Sequence, residues 1–130
     1  MSDYVKLKNL VDPPQREVDS TLKKLAADLG RSGERCRIQF RFLTEDGEIQ
    51  RWLELGAKTQ IAEGMRKRED VQIEVALKLQ TWFEVAEGKL SPVEAWYGGR
   101  MGFRGDLDLA RRLVKAAAAS GDKLCPFEPT

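Results

Sequence analysis

From residue 35 onward the chain carries two different hydrophobic periods, and it divides into elements where one gives way to the other. Residues 35–43 alternate, with Cys36, Ile38, Phe40 and Phe42 on one side and Arg35, Arg37, Gln39 and Arg41 on the other. A period of two sends these sets to opposite faces, so a half-buried strand is predicted. Glu45-Asp46-Gly47 then supplies hairpin turn chemistry. The return strand, about 48–56, sets Ile49, Leu53 and Leu55 against Gln50, Trp52 and Glu54. Two residues break phase: Arg51 interrupts the apolar face, and Trp52 the polar one, where it is expected to lie across the arginines of the preceding strand. Gly56 and Gly64 bracket a third strand, Thr59–Glu63. The apolar odd positions Val71, Ile73, Val75, Leu77 and Leu79 mark a fourth.

Helical spacing governs the rest. Asp12-Pro13-Pro14-Gln15 reads as a capped helix start, followed by Val18, Leu22, Leu25, Ala26 and Leu29 on one face and closed by Gly30. Residues 1–11 are predicted as an extended arm. Beyond the fourth strand, Trp82, Phe83, Val85 and Ala86 fit a short helix ending at Gly88. Ser91-Pro92-Val93-Glu94 is a capping box opening another short helix through Trp96 and Tyr97. Arg100–Arg104 alternates again, turning Met101 and Phe103 to one side. Asp106 caps a last helix with the stripe Leu109, Ala110, Leu113, Val114 and Ala117, and the proline-bearing tail leaves it after about Ser120.

These elements predict one domain over residues 1–130: arm 1–11, first helix 12–30, sheet 35–79, helices and last strand 81–119, tail 120–130. The fold class is α+β, a five-stranded, mainly antiparallel sheet covered on one face by helices.

Four glycines in eight residues, Gly98, Gly99, Gly102 and Gly105, raise the question of a phosphate cradle. Their spacing does not fit the dinucleotide fingerprint, and Gly88-Lys89 is followed by Leu90 rather than by Ser or Thr. They read instead as punctuation between short elements, with Gly102 placed to admit a close neighbour. Histidine is absent from the chain. Its loss removes the commonest general base and zinc ligand, and no catalytic constellation or metal site stands out among the remaining residues. Twenty-two basic residues stand against 21 acidic ones, a net charge of +1 that offers no field for nucleic acid. The run Arg66-Lys67-Arg68-Glu69-Asp70 reads as a solvated loop, and a small basic contact patch is its sharper alternative. The polar N-terminus MSDYVKLKNL carries no leader pattern. No apolar run is long enough to span a bilayer. Cys36 and Cys125 form no CxxC pair and are expected as reduced thiols in the cytoplasm.

The stretch from Glu74 to Leu113 resembles the sterol carrier protein type 2 domain, a lipid-transfer family. The family pattern runs from a strand through a short helix ending in Gly, then roughly Leu-Asn-Pro, a small residue with an aromatic, Gly, a lysine-rich strand, Gly-Asp and Leu-x-Leu-Ala. Here it appears without a gap as Gly88, Leu90-Ser91-Pro92, Ala95-Trp96, Gly99, Arg100–Arg104, Gly105-Asp106 and Leu107 with Leu109-Ala110. Lys78-Leu79-Gln80-Thr81 stands where many members carry an acidic, cap-like run, and Gly102 replaces a lysine. The chain ends Glu128-Pro129-Thr130 rather than in the peroxisomal tripeptide.

The resemblance implies an apolar tunnel between sheet and helices that carries a sterol, an acyl chain or another greasy molecule, with no cofactor. The residues able to line it are Phe40, Phe42, Leu53, Ile73, Val75, Trp82, Phe83, Trp96, Met101, Phe103, Leu109 and Leu113. Each of them taken singly also fits plain core. Membrane contact would be transient. Two other readings stay open. One is a small enzyme or accessory subunit acting on an apolar intermediate, with Glu84, Glu94 or Tyr97 moving a proton. The other is an interaction or homodimerisation module whose tail, Cys125-Pro126-Phe127, plugs its own tunnel or a neighbour's.

Overall fold

Strict alternation on residues 36–42 sets the geometry of the whole sheet. The structure, a computed structural model, describes the backbone of residues 2–119 and, within it, the side chains of residues 15–91, 94, 95 and 97–116. Its strands are β1 (Cys36–Thr44), β2 (Gly47–Leu55), β3 (Gln60–Glu63), β4 (Ile73–Lys78) and β5 (Met101–Gly105), in the spatial order β3-β2-β1-β4-β5. β1 and β4 run parallel at the centre, and every other neighbouring pair is antiparallel. The helices are α1 (Ser2–Gly30), α2 (Leu79–Ala86), α3 (Pro92–Tyr97) and α4 (Leu107–Ala119).

Registers carry the inward set of β1 across the sheet. Ile38, Phe40 and Phe42 face Leu53, Arg51 and Ile49 of β2, and Ile73, Val75 and Leu77 of β4. Phe103 and Met101 of β5 continue the row opposite Val75 and Leu77. On that face α1 lies over β2 and β3 and against α4, while α2 lies over β1 and β4. The α1 stripe Val18, Leu22, Leu25, Ala26 and Leu29 is buried, as are Leu109, Ala110 and Leu113 of α4. Removing this apolar area from water is the main favourable term of the fold.

The outward face is an ion-pair lattice. Arg37 Nε lies 2.6 Å from Glu54, Arg41 is 2.9 Å from Glu48, and Arg104 is 2.9 Å from Glu74. Gln39 sits fully buried among them. Its carboxamide donates to the carbonyls of Arg51 and Gly64 at 3.0 Å and accepts the Arg66 N–H at 2.9 Å. That staple draws residues 64–66 across the sheet.

Several sequence expectations are corrected. The first helix begins at Ser2, so residues 2–11 are helical and Asp12 does not cap it. Proline at 13 and 14 costs two ladder donors, but Tyr4, Leu7, Leu10 and Val11 repeat at helical spacing upstream and the helix runs on. β4 starts at Ile73, because Arg68–Asp70 forms a 3-10 turn and Val71 is its cap. Leu79 belongs to α2, which therefore starts earlier than the aromatic pair suggested. Trp52 stacks under Arg66, whose guanidinium carbon is 4.6 Å from the ring centroid, and not on the arginines of β1. Those are held by glutamates, as just described. Arg51 is buried and reaches α1, where its Nε donates to Asp19 at 2.9 Å, so an out-of-phase charge becomes a tie between helix and sheet. At Ser91 and Asp106 the expected caps are present: the Glu94 N–H donates to Ser91 Oγ at 3.1 Å and the Leu109 N–H to Asp106 Oδ1 at 3.0 Å.

Gly105 and Gly102 differ sharply. At φ +130°, Gly105 lies so close to β4's approach that an added Cβ would collide with the Gln72 carbonyl, whereas a Cβ at Gly102 meets Ala76 O at an ordinary 3.6 Å. Gly105→Ala is expected to cost more than about 2 kcal/mol, the range of backbone strain combined with a steric clash. Gly102→Ala is expected to stay within about 1 kcal/mol of the parent. Urea denaturation of the two variants gives both numbers.

Candidate functional site

Two phenylalanines at i and i+2 on a strand, facing a tryptophan on the covering helix, form the densest part of the interior. The rings of Phe40 and Phe42 are stacked with centroids 5.8 Å apart. Trp82 meets both edge-on, at 5.8 and 5.1 Å. Trp82 Nε1 donates to Thr21 Oγ1 of α1 at 2.8 Å, so its one polar atom is satisfied. Phe40, Phe42, Leu53, Ile73, Val75, Trp82 and Leu113 have no accessible surface and Leu109 almost none. No void as large as a water molecule touches the fully buried ones. In this state the wall they form is closed.

The open space lies one helical turn away. β1 and β4 are parallel, so their C-terminal ends emerge side by side; β1 turns back through the hairpin at Glu45-Asp46 and β4 turns at Lys78 into α2. A cleft of about 940 Å³ separates the hairpin from α2. Leu43, Leu79 and Phe83 supply its apolar floor, and Thr44, Glu45, Lys78, Gln80, Glu84, Glu87 and Lys89 its rim. Leu79 and Phe83 are four apart and therefore share a face of α2, while Thr81, Trp82 and Val85 are buried. One helix thus presents Trp82 to the closed wall and Phe83 to the cleft. A second cleft of about 360 Å³ shares Leu43, Lys78 and Gln80 with the first and runs on past Leu77, Gly99 and Met101. Between the two, Arg100 ties the β5 approach to α2: its Nη2 donates to Glu84 at 2.8 Å and to Thr81 Oγ1 at 3.2 Å.

Among the described residues expected to line a cavity, the structure places Phe83 and Met101 on these clefts, leaves Phe103 partly buried against the core, and packs Phe40, Phe42, Leu53, Ile73, Val75, Trp82, Leu109 and Leu113 inside. The side chain of Trp96 lies outside the described residues, as does the tail with Cys125 and Phe127. The proton-moving alternatives do not converge. Glu84 is held in the Arg100 pair, Glu94 is exposed at its helix cap, and Tyr97 is 67% exposed. Sequence reasoning missed Leu43 and Leu79. Both carried a signal: Leu43 is the apolar residue on the polar side of β1, and Leu79 stands where the period changes from strand to helix. Among the described residues no group of His, Cys, Asp and Glu could hold a metal ion. No described helix is long and apolar enough to cross a membrane.

Residues 20–118 match the SCP-2 sterol transfer family. Among solved structures the fold is similar to sterol carrier protein 2 like 2 from Aedes aegypti, at 19% identity with a TM-score of 0.63, covering 78% of this chain and 96% of that one. It is also similar to the palmitated protein of that kind from the same mosquito, at 19% identity with a TM-score of 0.61 over 75% of this chain and 91% of that one. Sterol carrier protein 2 from Yarrowia lipolytica, in its apo form, shares 21% identity with a TM-score of 0.53 over 78% and 75% of the two chains. At such identities the likeness to these structures is one of fold. No curated protein matches the chain.

Cys36 is buried at the start of β1, and burial, reinforced by Glu34 and opposed by Arg112, pushes its thiol up to about 11 from an ordinary 9.0. The thiolate is the reactive form, so a Cys125→Ser variant is expected to react with a disulfide reagent at pH 8 at least about tenfold more slowly folded than in urea. Because the folded value is the higher one, the unfolded chain loses its proton first. Stability is expected to fall between about pH 9 and 11, which denaturation at a series of pH values reads directly.

Proposed function

Because the chain belongs to the SCP-2 sterol transfer family, we propose that it binds and carries a lipid-like apolar molecule without transforming it. The observation that carries this reading is the juxtaposition of the 940 Å³ cleft with the aromatic wall, which only α2 separates. The molecule settles first on Leu43, Leu79 and Phe83. Moving α2 outward then exposes Phe40, Phe42 and Trp82, with Leu53, Ile73, Val75, Met101, Phe103, Leu109 and Leu113 behind them, and an apolar chain replaces the contacts α2 gives up. The tunnel is thus a state the cargo opens. The fold's palmitated relative supports an acyl chain as one such cargo.

The energetics favour this without polar recognition. A chain of about fifteen methylenes is worth roughly 12 kcal/mol on burial. Association and ordering take back at least roughly 4 kcal/mol of it. The remainder corresponds to dissociation constants of about micromolar.

A fluorescent long-chain fatty acid is therefore expected to bind at about micromolar concentration and to be displaced by unlabelled acid. Phe83→Asp, at a partly buried position on the cleft floor that packs against the core, is expected to weaken binding at least about tenfold while Phe83→Leu keeps it, with circular dichroism checking that both variants fold. Native mass spectrometry of the purified chain supplies the second readout, an adduct of a co-purified lipid. Absence of both the fluorescent signal and the adduct, with the thermal midpoint unmoved by any lipid, sinks the proposal.

A further inference from the structure

At the opposite end of the sheet, where β1 begins and β2 ends, lies a pocket of about 370 Å³ bounded by Arg35, Arg37, Glu54, Gly56, Lys58 and Gln72. Eight residues of β1 separate it from the cleft, roughly 26 Å of extended chain, so one ligand does not serve both. Its charge is unbalanced. Glu54 provides its carboxylate, and that group is taken by Arg37 at 2.6 Å. Arg35 and Lys58 make no ion pair and no hydrogen bond among the described residues.

Arg35, Lys58 and Gln72 are exposed at this pocket, and Arg37 is partly buried. Alternation along β1 turns Arg35 and Arg37 to the outward face, and Gly56 leaves room beside the Arg35 stem, whose Cγ lies 3.9 Å from where a Cβ would stand. The Gln72 carboxamide is fixed through its oxygen, which accepts the Arg37 N–H at 2.7 Å, while the Gln72 N–H donates back to the Arg37 carbonyl at 3.0 Å. That leaves Gln72 Nε2 at the pocket wall with no acceptor among the described residues. Two arginines, a lysine and a glutamine thus line a space whose one carboxylate is already engaged. Such a donor set exceeds what a planar carboxylate accepts and suits a tetrahedral oxyanion, for which the arginine fork has the right geometry.

We infer that this pocket is a phosphate-binding site, taking the phosphate group of a small phosphorylated molecule or of a phospholipid headgroup. The site is independent of the apolar cleft, so its failure leaves lipid carriage untouched. Titration calorimetry with inorganic phosphate and with glycerol 3-phosphate tests the first source. Co-sedimentation with phosphatidylcholine vesicles, with and without phosphatidic acid, tests the second. Arg35→Gln/Lys58→Gln is expected to lower affinity for the responding probe at least about tenfold. Lys24→Gln/Lys115→Gln, the same charge change on exposed helical positions, is expected to leave that affinity within about twofold, and both variants should bind the fluorescent fatty acid as the parent does. Binding of the soluble phosphates assigns the small molecule, and binding of phosphatidic acid vesicles alone assigns the headgroup. No binding of either kind, or equal losses in the two double variants, overturns the inference.

Discussion

The parallel pairing of β1 with β4 is the constraint from which the rest of the molecule follows. Its register, Ile38 with Ile73, Phe40 with Val75 and Phe42 with Leu77, puts the inward sets of two sequence-distant strands in phase. A slip of one residue would turn every one of these side chains to the solvent face. The same pairing sends both C-terminal ends out on one side, where the hairpin and the start of α2 leave the cleft between them. At the other end it brings Gln72 beside Arg37, and the polar pocket forms there. One register thus separates an apolar end from a cationic end.

The aromatic wall shows how the interior is closed in this structure. A permanently open tunnel would leave large apolar surface in contact with water or vacuum, at a cost comparable to cavity-creating mutations. Phe40, Phe42 and Trp82 instead close on each other, and Thr21 satisfies the indole N–H from the neighbouring helix. The polar atom is thereby covered in the closed state, and α1, α2 and the sheet meet at a single residue.

Much of this was legible in the sequence because it depends on period alone. The buried faces of α1, β1, β4 and α4 are the residues that alternation and helical spacing pick out. What was not legible depends on tertiary partners. Trp52 looked like a cover for the β1 arginines, yet Arg37 and Arg41 pair with Glu54 and Glu48, and the ring is left to Arg66, which Gln39 delivers by holding Gly64 and the Arg66 N–H. Arg51 looked like an interruption, and only the placement of Asp19 on α1 makes it a tie. The cleft was missed for a related reason: it exists only because the parallel pairing brings the ends of β1 and β4 together, and Leu43 and Leu79 sit at those ends.

The distribution of ties along the sheet then bears on the proposed entry of an apolar molecule. The cationic end is held by backbone: Gln72 and Arg37 exchange main-chain and side-chain bonds, and the Asp106 N–H donates to the Gln72 carbonyl at 2.9 Å beside a glycine that tolerates nothing larger. The cleft end is held by side chains. α2 is anchored there by the Arg100–Glu84 pair, the Arg100–Thr81 bond and the Trp82–Thr21 bond. A partly exposed ion pair contributes roughly 1 kcal/mol or less, and a neutral side-chain bond about 1 kcal/mol. Displacing α2, as proposed above, would uncover Trp82 together with the buried Thr81 and Val85, and a bound hydrocarbon chain would restore the apolar part of those contacts. On that proposal the cargo passes where side chains rather than backbone bonds hold the elements together.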